Sequence, residues 1–173
     1  EVFKNFNLFI FGGVNYEPYR AKFENLIGRK VDSIELYPAS EGFFAFQDRQ
    51  NKQGMLLQLD SGIFYEFIDM KTYGTQNEKV IPLSDVVVGT QYAVIISTNA
   101  GLWRYHIGDT IRFTSIAPYR FKITGRTKHF INVFGEELII ENAEDALKKV
   151  CKKTKAEIVD YTAAPIFMNG REK

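Results

Sequence analysis

Apolar positions in this chain follow one rhythm near the N-terminus, a second through the middle and a third towards the C-terminus. LFIFGG, residues 8–13, is an apolar run closed by a glycine pair and reads as a buried strand. Tyr19, Phe23, Leu26 and Ile27 then recur at helical spacing, with Pro18 where a first-turn proline is tolerated and Gly28 as a stop. SIELY, residues 33–37, is a short strand. The three make a strand–helix–strand unit, which predicts a parallel pair with a right-handed crossover.

After Glu41 the rhythm shortens. GFFAFQ, GMLLQLD, IFYEFIDM and YAVIIST are short, rich in aromatic and aliphatic residues, and separated by turn signals such as DRQNKQG and DSG. GLWRYHIGDTIRF and YRFKITG extend this antiparallel or barrel-like pattern, with Trp103 and Tyr105 read as core. Past Gly125, which is expected to break a strand, the spacing turns helical. Ala143, Ala146, Leu147, Val150 and Cys151 form an i, i+3, i+4, i+7, i+8 stripe, with Asn142 as N-cap and Asp145 in the capping-box position. Glu144 and Asp145 lie in its first turn and lysines in its last, as the helix dipole prefers. AEIVDYTAAPIF, residues 156–167, reads as a further strand. The expected class is therefore α/β of the mixed α+β kind. A boundary near Gly125–Arg126 divides residues 1–125 from the start of a smaller α+β unit at 126–173.

Composition narrows the function classes. With 45% hydrophobic and 25% charged residues, the 173-residue chain is expected to fold around a core. Its 22 basic and 21 acidic residues nearly cancel, which argues against a nucleic-acid surface. No apolar run approaches the length of a bilayer span and no signal peptide opens the chain, so no membrane partner is expected. The single cysteine, Cys151, rules out an internal disulfide framework and fits a reducing, cytoplasmic setting. The absence of an initiator Met and the abrupt ends suggest a piece of a longer protein.

Three stretches can carry chemistry. In YPASEG, residues 37–42, Tyr37 can stack on a flat heterocycle, while Ser40 and Glu41 can meet a phosphate oxygen and its magnesium ion. Gly42 leaves the backbone open to close approach. The same residues also suit an ordinary strand-end turn with a solvated glutamate. In WRYHIGD, residues 103–109, Asp109 can grip vicinal ribose hydroxyls, or serve as a common turn aspartate. His106 receives no role. In ITGRTKHF, from residue 123, Arg126 can reach phosphate or ribose oxygens, or belong with Lys128 to a charged linker.

Taken in order, GGVNYEPYR, YPASEGFFAFQ, LDSGIFYEFI, GLWRYHIGD and FKITGRTKHFINVFGEEL resemble the adenylate-forming superfamily. Within it they resemble the Gretchen Hagen family of auxin-responsive acyl-acid amido synthetases, in its bacterial form, over essentially the whole chain. YPASEG is similar to the Tyr-Gly-x-Thr-Glu signature of the superfamily, with Pro for Gly and Ser for Thr.

The resemblance implies an enzyme that uses ATP and Mg2+ to activate a carboxylic acid as acyl-AMP, then passes the acyl group to an amine, usually an amino acid. Residues 1–125 would be the C-terminal part of a large adenylation domain, and 126–173 the hinge and first part of a lid domain. By the same resemblance Tyr37 would stack on adenine, Ser40 would contact the α-phosphate, Gly42 would belong to the ATP/AMP site, and Glu41 would hold magnesium and act catalytically. Asp109 would hold the ribose, Arg126 would touch ribose or phosphate, and Lys128 would mark the hinge. Phe11, Gly12, Gly13 and Val14 would border the acyl pocket. The family's phosphate-wrapping Ser/Thr/Gly-rich loop and its C-terminal catalytic lysine have no counterpart in these residues, so the chain alone is expected to be inactive. Two other outcomes fit the same motifs: an acyl-CoA or acyl-carrier ligase, and a non-catalytic nucleotide-binding relative. No motif sets the oligomeric state.

Overall fold

A computed structural model describes residues 4–13, 16–17, 19–50, 54–127, 131–133, 136–138, 140–158 and 161–162, with the side chains of 131–142 left aside. Strand β1 (Leu8–Gly12), helix α1 (Arg20–Ile27) and strand β2 (Asp32–Ala39) form the strand–helix–strand unit. β1 and β2 pair in parallel from Leu8↔Asp32 to Gly12↔Leu36. Tyr19 is the N-cap of α1, and Gly28 closes the helix in the left-handed conformation with φ 82°, donating its N–H to the Glu24 carbonyl.

The middle of the chain is antiparallel, as its short apolar runs require. β3 (Gly42–Phe46), β4 (Met55–Leu57), β5 (Ile63–Asp69), β6 (Val80–Pro82), β7 (Gln91–Thr98), β8 (Tyr105–Ile116) and β9 (Tyr119–Arg126) join β1 and β2 in one nine-stranded sheet. The spatial order is β1-β2-β3-β4-β9-β8-β7-β5-β6. β4 is only three residues long, yet it is the splice: Leu57 pairs with Ala45 of β3, and Met55 pairs with Phe121 of β9. A core of Phe44, Phe67, Phe113 and Phe121, each 1% exposed or less, fills the concave face with Met55, Ile96 and Ile111. Beyond the sheet, β10 (Ile131–Val133) and β11 (Glu136–Leu138) form an antiparallel pair, followed by helix α2 (Ile140–Thr154). Among the described residues no helix is long and apolar enough to cross a membrane.

Several expectations change. β1 is not buried: it is an edge strand with one neighbour, and Leu8 and Ile10 stay 41% and 55% exposed. From α1, Phe23 packs on Phe6, Phe9 and Tyr16, while Leu26 faces solvent. Trp103, 84% exposed, is not core, because the turn between β7 and β8 carries it past the end of the sheet, and Tyr105, which opens β8 opposite Ile96, stays 41% exposed. β2 runs through Pro38, which is accommodated by a register shift at Tyr37/Pro38. β9 includes Gly125 and ends one residue later, at Arg126. α2 starts at Ile140, so Asn142 lies inside the helix rather than at its cap. Of the strand expected at 156–167, the described residues 156–158 and 161–162 form none. Pro18, Val14 and Lys128 lie outside the described residues.

Candidate functional site

The β2–β3 connection is a tight turn. Ala39 pairs with Gly42, which leaves only Ser40 and Glu41 in the loop. Ser40 is exposed and Glu41 half-buried, so both side-chain oxygens sit at the rim of the sheet. Gly42 has little room for a side chain, since a Cβ there would come within 2.9 Å of Ile63 Cδ1. The end of β1 lies alongside. A Cβ on Gly12 would meet the Leu36 carbonyl at 2.7 Å and Pro38 Cδ at 3.1 Å, so Gly12 permits the close approach of β1 to this strand. Gly13 follows with φ +80°, and Phe11 stacks on Phe9 and packs on Tyr16. Phe11, Gly12 and Gly13 thus occupy the carboxyl end of a parallel pair, the place where α/β folds bind ligands.

Tyr37 points inward. It is 6% exposed, and its ring meets Phe44 and Phe121 edge-on. The stacking platform read from the sequence therefore offers little open face: the aromatic core on β3 and β9 has taken the ring. Its hydroxyl does something else, donating to Asp109 Oδ2 at 2.5 Å. Burial pushes the phenol far above its ordinary value, and the Asp109 charge, their hydrogen bond and Glu41 push the same way against Arg126. The hydroxyl therefore keeps its proton and remains a donor across the physiological range.

Asp109 and Arg126 are directly opposed across β8 and β9. Arg126 Nε lies 3.1 Å from Asp109 Oδ1, and its Nη2 donates to the Ile107 carbonyl at 3.3 Å. The Asp109 side chain is 17% exposed and the Arg126 side chain 56%, so the carboxylate is sheltered while the guanidinium borders solvent. Gly108, just before Asp109, has φ +86°, a backbone conformation that favours glycine, and a Cβ there would lie in ordinary contact with Arg126 Nη2 at 3.5 Å. The backbone N–H of Thr127 donates to the Gly108 carbonyl at 2.8 Å.

The structure thus gathers Tyr37, Asp109 and Arg126 into bonded contact, with the Glu41 charge felt at the same phenol. It places Ser40, Gly42, Phe11, Gly12 and Gly13 on the adjoining strand ends. A flat sheet would not do this. β2 and β8 are four strand steps apart in the sheet order, or about 19 Å at normal spacing. Only strong curling brings the Tyr37 hydroxyl to Asp109. A cavity of about 420 Å³, bordered by Arg20, Arg29, Lys30 and Asp32, lies at the far end of β2, away from these groups.

Sequence reading missed the layer beneath. Thr110 and Thr124, 1% and 3% exposed, meet through their hydroxyls at 3.0 Å, and Gln91 donates to Thr110 at 3.2 Å. These groups pin the strands that carry Asp109 and Arg126. Threonines in otherwise apolar strands were the available signal.

Residues 56–126 match the model of the GH3 family central domain. Indole-3-acetic acid-amido synthetase GH3.3 of Arabidopsis thaliana is 23% identical over 137 residues, covering 74% of this chain and 23% of the relative. Indole-3-acetic acid-amido synthetase GH3.10 of the same plant is 29% identical over 125 residues, 58% of this chain and 20% of the relative. The solved GH3.15 acyl acid amido synthetase superposes with a TM-score of 0.64 at 20% identity, covering 80% of this chain and 25% of that one. An open conformation of 2-hydroxyisobutyryl-CoA ligase gives 0.53 at 16% identity, covering 83% of this chain and 34% of that one. At these identities the superpositions establish a shared fold and nothing more. The chain spans about a quarter or less of the length of the curated relatives named here.

Proposed function

We propose that the chain is a member of the GH3 family, whose central-domain model matches residues 56–126, and that it supplies the nucleotide-facing half of the active site in an ATP-dependent acyl-acid amido synthetase. The observation that carries this reading is the convergence of Tyr37, Asp109 and Arg126, from three strands, beside the Ser40–Glu41 turn. In this reading residues 1–125 end the large domain and 126–173 begin the lid, with Lys128 at the hinge.

Asp109 accepts from the ribose hydroxyls, and Arg126, on its solvent side, reaches ribose or phosphate. Ser40 and the Gly42 backbone border the α-phosphate. Phe11, Gly12, Gly13 and Val14 border the acyl group, whose carboxylate attacks phosphorus and displaces pyrophosphate. An amine then attacks the acyl carbon and AMP leaves. Magnesium takes one or two carboxylates and fills its remaining positions with phosphate oxygens and water. Glu41, on a turn and outside the Tyr37–Asp109–Arg126 bonds, is a donor of that kind. Bound there, the ion would supply positive charge against the phosphates during adenylation. The contribution of the protein is positioning plus electrostatics.

The test is pyrophosphate exchange by the full-length protein, measured across a panel of carboxylic acids and followed by addition of amino acids or coenzyme A. Acid-dependent exchange and an amide product are expected, whereas the 173-residue chain alone should give neither. A thioester formed with coenzyme A, and no amide, would move the protein to the acyl-CoA ligases. Nucleotide binding with no exchange for any acid would leave a non-catalytic relative.

A further inference from the structure

We infer that Tyr37 is a positioning residue for Asp109: its hydroxyl, with Arg126 on the opposite oxygen, holds the carboxylate in the orientation that receives ribose hydroxyls. This rests on the reading of Asp109 as the ribose partner. Three observations support it. The ring is buried and edge-on to Phe44 and Phe121, so the hydroxyl rather than an open ring face is what Tyr37 presents to the site. The hydroxyl donates to Asp109 Oδ2 at 2.5 Å, while Arg126 Nε takes Oδ1 at 3.1 Å, so each oxygen has a fixed neighbour. A carboxylate oxygen accepts more than one hydrogen bond, so both can persist while ribose binds.

The arrangement also answers a geometric problem. Asp109 follows Gly108 on a strand with a register shift at Thr110/Ile111, where the backbone ladder is interrupted. A lone aspartate there would rotate about its side-chain bonds. Tyr37 restrains it from a strand four steps away, held by the aromatic core. The orientation of Asp109 is thereby coupled to the curl of the sheet.

The experiment compares AMP with 2′,3′-dideoxy-AMP, by calorimetry on the full-length protein, for the wild type, Tyr37→Phe, Asp109→Asn and the double variant. The wild type should prefer AMP by about tenfold or more, the scale of hydrogen bonds to a charged group. Tyr37→Phe should erase most of that preference while leaving dideoxy-AMP affinity within about twofold, and should add nothing in the Asp109→Asn background. A wild type indifferent to the hydroxyls overturns the reading of Asp109 itself. A normal wild-type preference that Tyr37→Phe retains in full overturns the positioning role alone. Equal weakening of both ligands by Tyr37→Phe also overturns it, because it assigns Tyr37 to packing. Should Tyr37→Phe fail to fold, the absence of an AMP-induced change in the ultraviolet difference spectrum of the buried Tyr37 phenol in the wild type, sought against controls depleted of the exposed tyrosines, would count against the role, and its presence for it.

Discussion

Arg120 is a charged residue that the core has enclosed, and its removal makes a quantitative test of how the curled sheet is held. It sits on β9, 6% exposed, and both of its terminal nitrogens donate to the Asp48 carboxylate, Nη2 to Oδ2 at 2.7 Å. Asp48 lies just past β3, so the pair ties β3 to β9 beside the three-residue splice of β4. Arg120→Ala removes a buried cation and leaves its carboxylate with the looser contact to the exposed Arg49, whose Nε lies 3.8 Å from Asp48 Oδ2. Breaking a buried pair from one side costs about 3–5 kcal/mol, and because the Asp48 side chain is 21% exposed, water recovers part of that. A loss of about 3 kcal/mol is expected, or roughly 6–12 °C in Tm for a domain of this size.

The pH dependence fixes the cause. The hydrogen bond from Arg120 holds the Asp48 carboxyl below its ordinary range. A depressed carboxyl adds stability above its unfolded pKa, near ~4, and loses it as pH falls through the lower folded value. The gap between wild type and Arg120→Ala should therefore be full at neutral pH and shrink in acid, below about pH 4. Thermal melts of both proteins from pH 7 to pH 3 measure it, and Asp48→Ala in the Arg120→Ala background should add little. A gap under about 1 kcal/mol at neutral pH, or one that does not narrow in acid, would refute the reasoning.

Three further outcomes are expected. Glu41→Ala should slow adenylation by about 100-fold or more while changing ATP affinity far less, since the lost charge matters most as charge moves; equal losses in exchange rate and nucleotide titration would make Glu41 structural. Asp109→Ala should raise the KM for ATP about tenfold with a smaller change in kcat, and an unchanged KM would remove it from the ribose site. Gly54→Ala should destabilise by about 2–3 kcal/mol, because φ is +90° and a Cβ would lie 2.8 Å from the Phe121 carbonyl oxygen. A melt unchanged by that substitution would mean β4 tolerates a shift at its entry.

Local pattern was enough for the parts whose physics is local. Helix α1 and its Gly28 stop, the parallel β1–β2 unit and the run of antiparallel strands all follow from spacing, turn residues and capping, which neighbours in sequence decide. Glu41 and Asp109 stood out because a carboxylate is conspicuous beside an apolar segment; Glu41 does lie at a strand end, whereas Asp109, read as a strand-end or turn residue, lies within β8. Exposure was misread where it depends on position in the sheet: Leu8 and Ile10 look like core residues, but an edge strand has one neighbour. Trp103 looks like a core residue too, but a turn takes it off the sheet.

The residue types of the site are written into the chain; their meeting is not. Tyr37 and Asp109 are 72 residues apart and four strand steps apart, and the bond between them exists only because the aromatic face of the sheet closes on itself. Burial is a property of that closure, since it depends on which distant side chains compete for the same interior. That is why sequence alone assigned Tyr37 a ring to stack, and the folded sheet gave it a hydroxyl to donate.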